Sequence, residues 1–216
     1  MLKPAFRYAN RKDAGKALAA KLKKYAAENP VAIGLPRGGV IVAVEVARAL
    51  PCDFDVIIAG KLRAPLNPEL AIGAVNEDGL VFLNKDVLGS LHAGEDYLNE
   101  EKARLLVKIK ERLKAYRAIK KKVPLKGRAV LLIDDGLATG STMVSAVQAA
   151  HAEGATKIIV AVPGGPEDTI NKISSMKHVT EVICPVVPPV FFAVSQLYES
   201  FQQTEEDEVI AILKQF

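Results

Sequence analysis

"VLLIDDGLATGSTM" (130–143) packs an apolar run, two adjacent acids and a glycine-bearing hydroxyl cluster into fourteen positions. Its apolar part, extended by one residue to "AVLLI" (129–133), has the length of a buried core strand. A helix is expected from Ser141 to Gly154. The loop between, Gly136 to Gly140, therefore joins the carboxyl end of a strand to a helix N-terminus. In an open α/β sheet ligands bind at that end. Backbone N–H groups and a helix N-terminus make a phosphate cradle there, with Thr139, Ser141 and Thr142 adding hydroxyls. Each charge-assisted bond contributes about 1.5–3 kcal/mol. Asp134 and Asp135 would repel a phosphate, so the stretch calls for a ligand with two chemically different ends. Carboxylates suit a vicinal diol or a magnesium ion. A sugar phosphate offers both ends.

Strand-like and helix-like segments alternate on both sides of this stretch. Upstream, "DAGKALAAKLKKYAAEN" (13–29) reads as a helix, "VAIGL" (31–35) as a strand and "VIVAVEVARAL" (40–50) as a helix despite its β-branched residues. "DFDVIIAG" (53–60) is the next strand. "LAIGAVNEDGLVFLN" (70–84) reads as two strands turning at Asp78-Gly79. A long helix is expected from Asp96 to Lys120, with Leu98, Leu105, Ile109, Leu113 and Tyr116 as its apolar stripe. Downstream come a strand at "KIIVAV" (157–162), a helix near Glu167 to Lys177 and a strand at "EVICPVV" (181–187). A last helix to Phe216 is expected to be capped by Thr204 with Asp207. The fold class is α/β, a parallel sheet of about five strands with helices on both faces. An inserted β-hairpin, the long helix and a small C-terminal hood complete it. We read one domain over 1–216, with a core at about 28–187. The hood, about 188–216, follows the proline-rich joint "CPVVPPV" (184–190) and takes in the N-terminal segment.

The 216 residues are half hydrophobic and a quarter charged, as a folded domain with a sizeable core requires. The longest apolar runs, "AVLLI" and "IIVAV" (158–162), fall far short of the ~20 residues of a membrane helix. "MLKPAFRYANRKDAG" has no stretch that would serve as a signal peptide. Cys52 and Cys184 stand apart from each other and from His92, His151 and His178, which argues against zinc or a disulfide framework. A reducing cytoplasm is the expected compartment. Net charge is only +4, yet Lys and Arg crowd between Lys102 and Arg128. There "KERLKAYRAIKKKVPLKGR" (110–128) has two readings: a contact surface for nucleic-acid phosphates, or a solvated helix face with cations at its C-terminus.

Two rival phosphate motifs fail. "GLATGST" has Ser141 where a Walker loop needs Lys, and no G-x-G-x-x-G follows any strand. The stretch does resemble the phosphoribosyl-pyrophosphate (PRPP) signature of type I phosphoribosyltransferases: an apolar strand, two acids, two variable residues, then a small residue or Asp with Thr-Gly. That resemblance implies that Asp134 and Asp135 hold the ribose hydroxyls. It implies that Ala138, Thr139, Gly140, Ser141 and Thr142 wrap the 5′-phosphate. Magnesium (Mg2+) would sit by the two acids indirectly, through PRPP and water. In "GLPRGG" (34–39) the resemblance implies a pyrophosphate loop, with Arg37 and the Gly38-Gly39 backbone on the leaving group. "GKLRAPLNPELAIGA" (60–74) would be a mobile loop bringing Lys61 and Arg63 over pyrophosphate. Lys61, Arg37 and Asp135 are the implied catalytic residues. Phe191, Phe192 and Tyr198, with Phe201, are candidates for stacking on a base under the hood, with core packing the expected role of at least two of them.

The implied reaction transfers the 5-phosphoribosyl group to a nitrogen nucleophile, with a nucleobase in nucleotide salvage as the expected acceptor, and releases pyrophosphate. A homodimer is the expected assembly. The whole-chain pattern, including "NPELAIGAV" and "FFAVSQLYESFQQT" (191–204), also resembles a less characterised bacterial and archaeal branch of the family. One position departs from the hypoxanthine and guanine enzymes, which carry an Asp where this chain has Ala138. The alternative reading is a PRPP-binding regulator, RNA-binding through 110–128, with little or no turnover.

Overall fold

The computed structural model describes residues 7–65, 67–83 and 94–216. The first six residues of the expected hood, Leu66 of the 60–74 loop and Asn84 at the end of the hairpin lie outside the described residues. The element order is α1 (Arg11–Leu22), a 3-10 turn (Lys23–Glu28), β1 (Val31–Gly34), α2 (Gly38–Ala49), β2 (Asp53–Val56), β3 (Gly60–Ala64), β4 (Asn67–Val75) and β5 (Val81–Leu83). Then follow α3 (Glu95–Ile119), β6 (Ala129–Ile133), α4 (Ser141–Ala152), β7 (Lys157–Ala161), α5 (Glu167–Ser174), β8 (Glu181–Ile183), a 3-10 turn (Val194–Leu197) and α6 (Glu206–Leu213).

Five strands form one parallel sheet in the order β2-β1-β6-β7-β8. Its residues alternate between two cores, as the pleat requires. Ala32, Leu131, Ile133, Ile159 and Ala161 face α2 and α3. Val31, Ile33, Val130, Leu132, Ile158 and Val160 face α4 and α5. Both faces being covered explains why these strands read as continuous apolar runs. The same burial makes a helix of "VIVAVEVARA": every residue from Gly39 to Ala47 is buried, and tertiary packing overrides β-branched preference. The chain leaves β1 toward β2 and leaves β6 toward β7, in opposite directions along the sheet. The carboxyl ends of β1 and β6 are thus the switch point where a ligand crevice opens.

Four local expectations change. The 53–60 strand stops at Val56, and Gly60 begins β3 of a separate three-stranded antiparallel sheet, β3-β4-β5. The 60–74 loop is accordingly two paired strands, with an irregular register between Leu62 and Ala64. The first helix tightens into a 3-10 turn at Lys23, which buries Tyr25 and aims its hydroxyl at Glu181. Thr204 does not cap the last helix: it is buried, and Glu205 takes the N-cap position without a side-chain bond.

Long α3 buries Leu105, Ile109, Leu113 and Tyr116 as its stripe predicts. Its end is anchored by charge. Arg117 Nη1 donates to Asp55 Oδ1 at 2.8 Å, and its other nitrogens reach Glu77 at 2.8 and 2.6 Å. Asp55 is 1% exposed and also accepts from the Val123 and Val56 backbone N–H groups, each at 2.8 Å. Tyr8 pairs with the segment after β8: Tyr8 N donates to the Leu197 carbonyl and Glu199 N to the Tyr8 carbonyl, both at 2.8 Å.

Candidate active site

Two loops meet at the switch point. After β6 the chain enters Asp134 and Asp135, and the Asp135 N–H donates to Asp134 Oδ1 at 2.9 Å. Burial, and then the charge of Asp135, push the Asp134 carboxyl well above the usual carboxylate range. Asp135 is held from two sides. Arg11 Nε donates to its Oδ2 at 2.7 Å, and the Tyr198 hydroxyl donates to its backbone carbonyl at 2.5 Å.

Beyond the acids the loop is pinned by its neighbours. Leu137 N donates to the Gly164 carbonyl at 2.9 Å, and Thr169 Oγ1 donates to the Ala138 carbonyl at 2.9 Å. Gly140, with φ of 72°, is the N-cap of α4 and offers no side chain to the helix end. That left-handed turn suits glycine, and the first N–H groups of the helix have no partner within the helix. Residues 134–143, with Val194 of the hood above them, line a cavity of about 210 Å³. Ala138, Thr139, Ser141 and Thr142 are exposed, and Thr139 and Ser141 hydroxyls lie 3.3 Å apart.

After β1, Leu35 N donates to the Ile133 carbonyl at 2.9 Å and brings the second loop alongside. The Pro36–Arg37 peptide is cis. Gly38 and Gly39 open α2 directly against the acids. A Cβ on Gly38 would lie 2.0 Å from Asp135 Oδ2, and one on Gly39 would lie 2.8 Å from Asp134 Oδ1. Side chains at either position would push the acid pair out of place. Arg37 Nη1 lies 3.9 Å from Glu205 Oε2 on the half-exposed rim. Arg37, Arg11, Gly38, Phe201, Gln203 and Thr204 line a cavity of about 440 Å³.

The structure therefore brings Asp134, Asp135, Ala138, Thr139, Gly140, Ser141, Thr142, Arg37, Gly38 and Gly39 to one crevice. Lys61 and Arg63 are placed on β3; Arg63 is exposed, with its carbonyl accepting from Tyr97 Oη at 2.9 Å. Neither lines the two cavities at the acids. Tyr198 is a correction. It is 2% exposed, packed between Tyr8 and Phe201, so its ring is part of the hood's own core and offers no open face to a base. Phe191 leans half-buried on the same core, while Phe192 is 84% exposed. Arg11, Val194 and the 202–204 segment were not among the sequence candidates. "YANRKDAG" carries no motif, and only folding brings Arg11 to an acid 124 positions away.

The family model described as a phosphoribosyl transferase domain matches residues 7–201. The chain belongs to that family. Among its relatives are two Mycobacterium tuberculosis proteins, from strains CDC 1551 and H37Rv, each named "putative phosphoribosyl transferase". Both are 42% identical over 94% of this chain. The chain spans 46% of the length of either relative, about half. A crystal structure of TT1426 from Thermus thermophilus superposes with a TM-score of 0.90 at 39% identity, covering 97% of this chain and 99% of that one. This phosphoribosyl transferase domain has no described helix long and apolar enough to cross a membrane.

Proposed function

We propose that the chain transfers the 5-phosphoribosyl group from PRPP to a nitrogen nucleophile and releases pyrophosphate. The observation that carries this reading is the convergence of two helix N-termini on one acid pair. The α4 end, at Gly140 and Ser141, suits the 5′-phosphate, and the α2 end, at Gly38 and Gly39, suits pyrophosphate. Asp134 and Asp135 lie between them for the ribose hydroxyls. Arg37 adds a bidentate cation on the leaving-group side. Lys61 and Arg63 would join it if the β3-β4 hairpin folds over the crevice.

Magnesium fits this donor set through the ligand. Among the described residues no group of three or more His, Cys, Asp or Glu is placed to hold a metal ion. Mg2+ keeps waters and binds carboxylates together with substrate phosphates. When bound it would neutralise charge that builds on pyrophosphate. The chain's own contribution is positioning: loop N–H groups fix both phosphates, and the acids orient the sugar between them.

Ala138 carries no carboxylate, so the acceptor must lose its proton elsewhere or react through an available lone pair. Adenine-, uracil- or small-amine-like acceptors should outperform hypoxanthine and guanine. The deciding experiment measures pyrophosphate release from PRPP and magnesium across a panel of nucleobases, on wild type and on Ala138→Asp. Strong hypoxanthine or guanine transfer by the wild type would show that another residue handles the proton. PRPP binding without release on any acceptor would favour the regulatory reading.

A further inference from the structure

Arg11 opens α1 and reaches into the crevice from the hood side. Its side chain is 11% exposed. Nε donates to Asp135 Oδ2 at 2.7 Å, and Nη1 donates to the Gln202 carbonyl at 2.5 Å. The guanidinium carbon lies 3.9 Å from the Phe201 ring centroid, so the plane is set by a stacking face as well as by two bonds. A guanidinium carries five N–H donors. Two are accounted for, and Nη2 makes no hydrogen bond to the described residues. A cation held this firmly, with donors in reserve beside a cavity, is prepared for an anion.

The anion is indicated by what shares the cavity. Arg11 and Arg37 both line the 440 Å³ space, with Gly38 at the start of α2. A Cβ on Gly38 would lie 3.0 Å from Arg11 Nε, which puts the guanidinium directly beside that helix N-terminus. Two guanidinium groups and a helix N-terminus thus face one space, with Asp135 beside Arg11 and Glu205 at 3.9 Å from Arg37 as their counter-charges. Asp135 takes Nε and the Gln202 carbonyl takes Nη1, which leaves Nη2 for a further partner.

We propose that Arg11 binds the pyrophosphate group while it holds Asp135, joining the leaving-group and ribose ends of the site through one side chain. This rests on the reading of the chain as a PRPP-binding transferase. Arg37 and Arg11 then contact pyrophosphate from the two sides of the Gly38-Gly39 turn. The planar fork suits a phosphate bidentately in a way a lysine does not.

The competing role for Arg11 is a strap that ties α1 to the hood and does nothing else. Calorimetric titration of magnesium pyrophosphate and, separately, ribose 5-phosphate separates the two. Arg11→Ala should lose about tenfold to hundredfold in pyrophosphate affinity. Ribose 5-phosphate, which Arg11 reaches only through Asp135, should lose a markedly smaller factor, and Arg11→Lys should recover part of the pyrophosphate affinity. A strap predicts instead that both probes weaken by the same factor or that neither does. Either result overturns the proposal. If Arg11→Ala fails to fold, Arg11→Gln keeps donors toward Asp135 and Gln202 without the charge, and its pyrophosphate affinity decides. Wild-type protein that binds neither probe would remove the transferase reading and this proposal with it. Wild-type binding that Arg11 variants leave intact removes this proposal alone.

Discussion

A carboxylate at position 134 is held in the folded chain at a cost in free energy. Asp134 is pushed up by burial and by its neighbour's charge, whereas Asp135 has the Arg11 guanidinium 2.7 Å away. Asp134→Asn removes a charge the fold disfavours, so its Tm should hold or rise. Asp135→Asn leaves the Arg11 guanidinium, 11% exposed, without its counter-charge, so its Tm should fall; breaking a buried ion pair typically costs about 3–5 kcal/mol. Both variants should still lose PRPP affinity, since each removes an acceptor for a ribose hydroxyl. Calorimetric titration and thermal melts on the same samples check the pair. Unchanged PRPP affinity in the double variant would sink the ribose assignment. The acids, the 138–142 loop and the Gly38-Gly39 turn were legible in sequence because each lies within one short strand-loop-helix unit. Arg11 was not, because its partner comes from the far half of the chain. Which hood aromatics pack in the core is illegible for a related reason: a ring such as Tyr198 reads the same in sequence whether it faces a ligand or Tyr8.

At the scale of elements, alternation and apolar stripes carried the parallel sheet and α3 because burial on one or two faces writes a period into the sequence. The break after Val56 is illegible in sequence, since "VIIAG" (56–60) stays apolar while the chain passes from one sheet to another. That passage places Lys61 on β3 instead of at a core strand's end. It sets a test of the hairpin as well as of the residue. Lys61→Ala and Arg37→Ala should each lower kcat more than they raise KM, because their charges matter most as pyrophosphate gains charge in the transition state. The expected loss is about 3 kcal/mol, on the order of a hundredfold in rate. A pure KM defect in Lys61→Ala would mean that β3 contributes ground-state binding only. A second element-scale test concerns His151 of α4 and His178 beyond α5, whose rings stack with centroids 3.4 Å apart. Burial, then His151 and Lys177, lower the His178 pKa in the folded chain. A histidine with a depressed folded pKa favours folding while neutral, so its contribution is present above about pH 6.5 and is lost as pH falls through the lowered value. His178→Gln should therefore show a shallower loss of stability than wild type between about pH 6.5 and 5. Urea unfolding at several pH values reads this out, and parallel slopes for the two proteins would dismiss the coupling.

Across the whole molecule, the basic segment serves the fold before it can serve a partner. Arg117 is taken by Asp55 and Glu77. Lys122 is taken by Glu77, Asp78 and Glu153, and Arg128 by Asp53. Their partners sit on β2, on the turn after β4 and past the end of α4, so these cations fasten α3 and the strand after it to both sheets. Sequence shows the crowding of Lys and Arg but not the scattered acids that meet them, so sequence alone does not separate a nucleic-acid surface from a structural one. Lys110, Arg112, Lys114, Lys121 and Lys126 remain exposed, too lacking in aromatic neighbours to form a base-stacking surface. Asp55 is the test of this arrangement. Asp55→Ala removes a buried acceptor from Arg117, from the Val123 N–H and from the Val56 N–H at once. Deleting one partner of a buried pair typically costs about 3–5 kcal/mol, and Glu77 still holds Arg117, so the lower end applies. In a chain of this size each 1 kcal/mol shifts Tm by roughly 2–4 °C, which puts the expected fall near 6–12 °C. PRPP affinity at 25 °C should stay within about twofold, because Asp55 lies on β2 and lines neither cavity at the acids. A melt that drops while PRPP binding holds assigns the segment to architecture. An unchanged melt, together with RNA binding that weakens steeply as salt rises, would return these cations to a nucleic-acid partner.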